Sequence, residues 1–594
     1  MPPAHAAAGR SASLAVRRLL LIGVACLLPL LGFRCDDVQY TIHWGDYVLH
    51  VERGETVVDL DALVAETTFV AQLSHPDGAE AGLQVWARSK RGDATLTDGA
   101  LRFGALPPGT PVQSLDEIRI RHPLTHLPHP NPGQFEWILL DRYGGFLEIE
   151  TTATGRFRVE TIDGVAWIIT PDGHGQFQVA PNTVRYGGDY SPPIGAAPYR
   201  DHNDRVYGSE AAWAEVAEER IRGWLFPTLG GWTSSDLLRE SLPHPRHLKF
   251  ARHAPAIPIP QTTPYNQDLR DYFDPAFAAG AATEAERADV CAADPLCIGV
   301  FTDNELPWGS FIYEAMPYLD AYATLPAGAP GKLALQDYLE SRYGDVENFN
   351  AAWDQAIASF DEVQDLAGLP ALTTGSPDLA PPDRLADRRA FMGIVAGRYF
   401  EVVHDALRAA HPDVLILGAR FVTAFTGLEA IRAAGPWVDV LSFNNYDFDP
   451  GARLFLNGSG GSYYENPFTA FGAFGGLDAS AAVAPGVPMM VTEWFYRVNL
   501  PGRQTPPTLP GVPGFEDRPD AVENYLVELI ERPYMVGAHW HQYTDQPETG
   551  RGDGENMIIG LVDLEDEPHH AMMERMTAVH GEILLRRRAL AGRP

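Results

Sequence analysis

From about residue 178 onward, short apolar runs alternate with amphipathic helical stretches, and this alternation constrains the fold more than any other feature. The strand candidates are Phe177–Pro181, Trp224–Leu229, Leu248–Ala256, Ile298–Thr302, Val414–Gly418, Val438–Phe443, Met489–Thr492 and Val536–Trp540. Between most of them lie helical patterns such as "EAAWAEVAEERI", "KLALQDYLESRYG", "GLEAIRAAG" and "RPDAVENYLVELIER". Strands separated by helices pair in parallel, because a parallel return needs a crossover. Eight such units over roughly 400 residues predict a (β/α)8 TIM barrel with long loops. A doubly wound sheet is the rival, but no Gly-rich phosphate fingerprint follows any of the strands.

Residues 37–150 have another texture. Runs such as "YTIHWGDYVLHVE", "TTFVAQLSH", "GLQVWARS" and "FEWILLDRY" are short and broken by Gly, Pro and Asp, with almost no helical period. They predict an all-β, jelly-roll-like sandwich ahead of the barrel. The expected organisation is therefore residues 1–35 as leader, 37–150 as sandwich and 151–590 as barrel. In the leader, Arg17 and Arg18 precede the apolar run Leu19–Phe33, which is short for a membrane span and suits a signal-peptide core. An uncleaved membrane anchor is the alternative. Arg34, directly before Cys35, argues against lipid attachment at that cysteine. Export to the periplasm, the cell surface or the medium is the expectation.

The formal net charge of −33, with Lys90, Lys249 and Lys332 the only lysines, repels phosphate backbones and anionic lipid. Nucleic acid is therefore excluded as a partner, and a neutral polysaccharide or oligosaccharide fits better. Twelve Trp and 22 Tyr supply rings that serve either as cores or as sugar platforms. In an exported chain, Cys291 and Cys297 can close a short disulfide or remain two buried thiols.

In a TIM barrel the working residues sit at the C-terminal ends of the strands. The fourth run ends "VFTDNE", the fifth "ILGARF", the sixth "VLSFNNYD", the seventh "MMVTEWFYR" and the eighth "GAHWHQYTDQP". Two of these ends carry Glu, Glu305 and Glu493, on strands that face each other across a barrel mouth. Glycoside hydrolysis needs such a pair: one carboxyl to protonate the leaving oxygen, the other to attack the anomeric carbon or to activate water.

Several longer pieces carry a resemblance: "DNELPWG" at 303–309, "FDPAFA" at 273–278, "LGARF" at 417–421, "VTEWFYR" at 491–497, and "HWHQYTDQPETGRGDGENMIIGLVDLEDEPHHAM" at 539–572. With "DGVAWIITPDGHGQF" and "GWLFPTLGGW" upstream, the chain resembles the β-agarase family over most of residues 154–590. Pro307 departs from the small residue expected in that pattern. The resemblance implies Glu305 as general acid/base, Asn304 as a hydrogen-bonding partner of a sugar hydroxyl, and Glu493 as the nucleophile of a retaining mechanism. It also implies agarose as substrate. Another β-glycan, as for a β-galactosidase of the same clan, and a non-catalytic carbohydrate-binding surface protein are the alternatives.

Around this pair, Trp308, Trp494 and Trp540 are candidate sugar platforms, or else core residues at the barrel mouth. Arg420, Asn445, Tyr446, Gln542 and Asp545 are candidates to fix hydroxyls or orient the glutamates. Arg420 could alternatively serve a loop ion pair, and Asp545 a turn. His539 and His541 alternate on one strand and lack a third ligand, so packing is expected of them rather than a metal site. "DLEDEP" is no calcium loop. No metal or cofactor is expected.

Overall fold

A computed structural model describes residues 39–592 apart from 80–81, 258–267, 309–316, 371–381, 423–425, 447–475 and 504–508. The leader expected over residues 1–35 lies outside the described residues. Among the described residues, no helix is long and apolar enough to cross a membrane. Packing divides the chain into two units that interleave in sequence. One takes in the described residues through Ala79, together with Ser89–Thr95 and Leu101–Glu136; the other holds the rest.

The first unit is antiparallel. Gln39–Trp44 turns through Gly45 and Asp46 into Tyr47–Asp59, which pairs with Val64–Ser74, and that strand pairs in turn with Ile118–Pro123. Along Val64–Ser74 every second side chain is buried, from Ala65 through Thr67, Phe69 and Ala71 to Leu73. That period of two is what a strand with one covered face requires.

The second unit opens with an antiparallel ladder that includes Arg158–Ile162, Val165–Ile169 and His174–Gln176. It then becomes α/β. Five strands lie parallel in the spatial order Gln178–Pro181, Met535–Trp540, Met489–Trp494, Leu441–Asn444, Phe421–Val422. His244–His247 and Cys297–Phe301 form a separate parallel pair. The architecture is thus mixed α/β, with parallel strands in sheets that do not close into one continuous ladder. Val300 bridges to Ile416 in parallel, and the Gly230 N–H donates to the Pro181 carbonyl at 2.8 Å.

Three expected strands need correction. Trp224–Leu229 is irregular, because Leu225 takes a φ of 59° and Pro227 has no N–H to give. Instead of Leu248–Ala256, the strand is His244–His247, a polar run that a search for apolar segments passes over; a 3-10 turn at Ala251–His253 follows it. Val414–Gly418 contributes only the Ile416 bridge, and Gly418 at φ 77° ends its extended course. The other five runs match observed strands to within a few residues.

The helices follow their sequence signals. Ser209 caps Glu210–Gly223 by accepting from the Ala212 N–H, and Trp213, Ala217 and Ile221 repeat at intervals of four on the buried side. Asp274 caps Pro275–Ala285 in the same way, with proline at the first helical position.

Cys291 and Cys297 are joined by a disulfide just before the strand Cys297–Phe301. The pair closes a small loop, so its loss relaxes the unfolded chain by only about 2 kcal/mol. Replacing both cysteines with serine is therefore expected to lower the urea midpoint by about that free energy, read by circular dichroism.

Candidate functional site

Parallel strands deliver the candidate residues to one end of the sheet. Glu493 is the next-to-last residue of Met489–Trp494, and its register partner on the neighbouring strand is Asn444. Glu305 lies four residues past the end of Cys297–Phe301 and takes a φ of 55°. A side chain in that left-handed region costs free energy, and the surroundings must hold it there. Here the Glu305 N–H donates to the Arg420 carbonyl at 3.2 Å, and Arg420 is itself left-handed at φ 51°.

Arg420 is fully buried. One of its terminal nitrogens lies 2.9 Å from Glu493 Oε1 and donates to the Thr492 carbonyl at 2.9 Å. The other terminal nitrogen donates to Asn304 Oδ1 at 3.1 Å. Asn444 Nδ2 donates to Glu305 Oε1 at 2.7 Å, and the Asn444 carbonyl oxygen accepts from the Thr492 hydroxyl at 2.9 Å. Trp232 Nε1 donates to Glu493 Oε1 at 3.2 Å, and the Tyr446 hydroxyl donates to Glu493 Oε2. Both glutamates line one cavity of about 340 Å³.

The surroundings separate the two carboxyls. Burial, reinforced by the charge of Glu493, pushes Glu305 up to about 8. Burial would raise Glu493 as well, but the charge that His541 gains in acid, the Arg420 guanidinium and the donors Tyr446 and Trp232 bring it down to about 2. Burial also holds His541 at about 4, so this imidazole is neutral near pH 7 and Arg420 is the fixed cation facing Glu493. Near neutrality, then, one glutamate is protonated and the other ionised within the same pocket.

Other candidates have different places. Trp308 is fully buried and packs on Tyr318, Tyr272, Tyr399 and Phe400, so neither face of its ring is open to a sugar. Trp494 stacks on Tyr525 at 4.7 Å, and Trp540 meets Trp494 edge-on; both are core. The Asn445 side-chain oxygen accepts from the Tyr525 hydroxyl. Gln542 donates to Asp189 at 2.7 Å and receives a long contact from Arg551 at 3.4 Å. Asp545 is a loop residue that accepts from the Gly560 N–H at 2.6 Å and pairs with His569. His539 is buried and held at about 3 by that burial.

Among the groups at or beside the pocket that the sequence does not single out are Asn444, Trp232, Arg551 and Glu555. Asn444 stood beside Asn445 in "FNNYD", and only knowledge of which one ends the strand separates them. Trp232 follows two glycines in "GWLFPTLGGW". Arg551 and Glu555 come from "GRGDGENM", where Arg551 pairs with Glu555 at 2.9 Å and burial raises the Glu555 carboxyl.

An α/β fold whose strand ends bring two oppositely protonated glutamates into one pocket is the class to which sugar-cleaving hydrolases belong. No family model matches the chain. It is, however, similar in sequence to proteins named β-agarase, the family that its motifs resemble. It is 27% identical over 402 residues to "Beta-agarase B" and 30% identical over 414 residues to "Beta-agarase A", both of Vibrio sp. (strain JT0107). Each match takes in 66% of this chain but only 38% of the relative, so the chain matches well under half the length of these curated proteins. In fold it is similar to the structure titled "Structural analysis of an exo-beta-agarase", with a TM-score of 0.58 at 18% identity over 93% of this chain and 98% of that one. The agarase AgWH50C gives the same score and identity over 93% and 99%.

Removing Arg420 leaves a buried carboxylate without its counter-charge, a loss that typically costs about 3–5 kcal/mol. Arg420→Met is expected to lower the unfolding free energy by roughly that amount, and adding Glu493→Gln should recover part of it. Thermal and urea unfolding of the two variants check this.

Proposed function

We propose that the chain is a retaining glycoside hydrolase that cleaves β-1,4-galactosidic linkages of agarose or a closely related neutral galactan. The observation that carries the proposal is the meeting of Glu305 and Glu493 in one cavity, with Arg420, Tyr446 and Trp232 holding Glu493 while burial favours the protonated form of Glu305. Glu305 holds a proton to give to the glycosidic oxygen, and Glu493 is ionised to attack the anomeric carbon and form a covalent glycosyl-enzyme. Once the leaving sugar has departed, Glu305 lacks its proton and takes one from the water that releases the product. Asn304 and Asn444 lie beside Glu305 and are suited to bind hydroxyls near the reacting carbon. The substrate rests on the likeness to proteins named β-agarase.

The same proposal includes a (β/α)8 barrel over 151–590 behind a sandwich over 37–150. Main-chain bonds support closure, since Leu229 donates to Pro243, Leu417 to Val300, and Val440 to Ile416, joining the parallel sheets through the irregular segments. It also includes export of the mature chain through the leader over 1–35.

Three measurements test the chemistry. Proton NMR of the first products should show the β-anomer retained, and product analysis on agarose against other β-galactans should place agarose first. Glu493→Gln is expected to lower turnover by roughly three orders of magnitude or more while the fold survives, since the nucleophile is lost. An unchanged rate removes Glu493 from this role.

The pH profile carries a second signature. Glu305 works protonated, so activity should fall as pH rises through about 8. Glu493 works ionised, so activity should fall on the acid side only as pH drops toward about 2. In Glu305→Gln the alkaline fall should vanish, and activated aryl glycosides, which need no proton donor, should lose less than natural substrate.

A further inference from the structure

Trp232 occupies an unusual place in the pocket. It follows Gly231 at a φ of 62°, and its indole N–H reaches the same Glu493 oxygen that Arg420 approaches. Its ring does not stand alone. His247 lies parallel to it, with centroids 4.0 Å apart and planes 18° from each other, and Phe301 continues the pile at 5.0 Å. The Arg420 guanidinium sits 5.2 Å from the Trp232 ring and 5.3 Å from Phe301.

His247 is chemically odd. Both its ring nitrogens are buried and have no hydrogen-bond partner among the described residues. A buried polar group without partners costs free energy, so its presence calls for a reason. Protonation gives no reason, because burial and the adjacent Arg420 charge hold the imidazole well below its usual range. What remains is shape: a flat ring, narrower than an indole, fitted between Trp232 and Phe301. The backbone makes room for it, since a Cβ on Gly231 would stand 2.6 Å from His247 Nε2 and 3.5 Å from the Arg420 guanidinium carbon.

We infer that Trp232 and His247 are a positioning pair for Glu493, with His247 fixing the indole plane so that its N–H holds one carboxylate oxygen against Arg420. This rests on the hydrolase reading of the site. Among the described residues, the groups facing Glu493 are Arg420, Tyr446, Trp232 and His541; Trp232 lies flat on His247 at 18°, whereas Tyr446 and His541 meet Phe495 at 52° and 33°. Holding Oε1 with two donors leaves the attacking carboxylate one orientation before substrate arrives, which is pre-organisation of a charged group in a dry site.

Three variants test the pair. Trp232→Phe keeps a ring on His247 and deletes the donor. It is expected to lower kcat about tenfold or more, with a smaller change in KM, because a bond to a charged group is lost. The acid limb of kcat/KM should also move upward, since the ionised form of Glu493 loses a donor. His247→Ala should reproduce this behaviour, whereas His247→Phe restores a flat ring and should recover to within about threefold of wild type.

The ionisation of Glu493 is read separately, by carboxyl carbon NMR titration with the signal assigned from its absence in Glu493→Gln. An upward shift in Trp232→Phe and His247→Ala, but not in His247→Phe, bears out the pair. No shift in Trp232→Phe, or equal effects of the two His247 variants, overturns it. The titration needs no turnover, so a wild type that cleaves no glycoside sinks the hydrolase reading while the pair is still judged. Should His247→Ala fail to fold, Trp232→Phe and His247→Phe decide.

Discussion

A single buried arginine organises this pocket. The Arg420 side chain balances Glu493 and reaches Asn304, its carbonyl holds the Glu305 N–H, and its own N–H donates to the Ser442 hydroxyl at 2.9 Å. A guanidinium with no exposed surface is costly to bury unless a carboxylate accompanies it. Its planar fork then imposes direction as well as charge, which a lysine could not do. Both glutamates are therefore referenced to one residue, although they come from strands far apart in sequence.

Charge counting explains why the two carboxyls differ. With one buried cation between them, ionising one glutamate makes the site neutral, and ionising both leaves an uncompensated negative charge in a region largely removed from water. The carboxylate closest to Arg420, with the Tyr446 and Trp232 donors, takes the charge. Glu305 accepts from the Asn444 amide, and burial together with the Glu493 charge favours its protonated form. The opposite preferences of the two glutamates thus follow from their surroundings, with no need for differing side-chain chemistry.

Much of this could be read along the chain, and what could not has definite physical causes. Glu305 and Glu493 were visible because each ends an apolar run, and Arg420 and Tyr446 were visible for the same reason. Asn445 was named where Asn444 does the bridging, since a strand's last residue cannot be fixed to one position by hydropathy. The tryptophans failed as a guide because size favours burial as strongly as it favours stacking on sugar. Trp308, Trp494 and Trp540 fill the core, and the ring that faces the pocket, Trp232, follows an irregular segment. The strand His244–His247 was missed because its covered positions are not hydrophobic.

The tripeptide Asp303-Asn304-Glu305 shows how backbone geometry, rather than residue type, assigns roles. In an extended strand, residues 303 and 305 would point the same way. Here the strand stops at Phe301, and the left-handed turn at Glu305 breaks the alternation. Asp303 turns inward, where it accepts from the Phe250 and Ala251 N–H groups and the Tyr399 hydroxyl, and burial lifts it to about 7. It thereby holds the start of the 3-10 turn Ala251–His253, which follows the strand His244–His247. Asn304 accepts from Arg420 and lines the cavity together with Glu305. Three adjacent polar residues thus take different places, Asp303 turned inward, Asn304 against Arg420 and Glu305 at the cavity beside Glu493, and the backbone turn at Glu305 is what separates the last of these from the first.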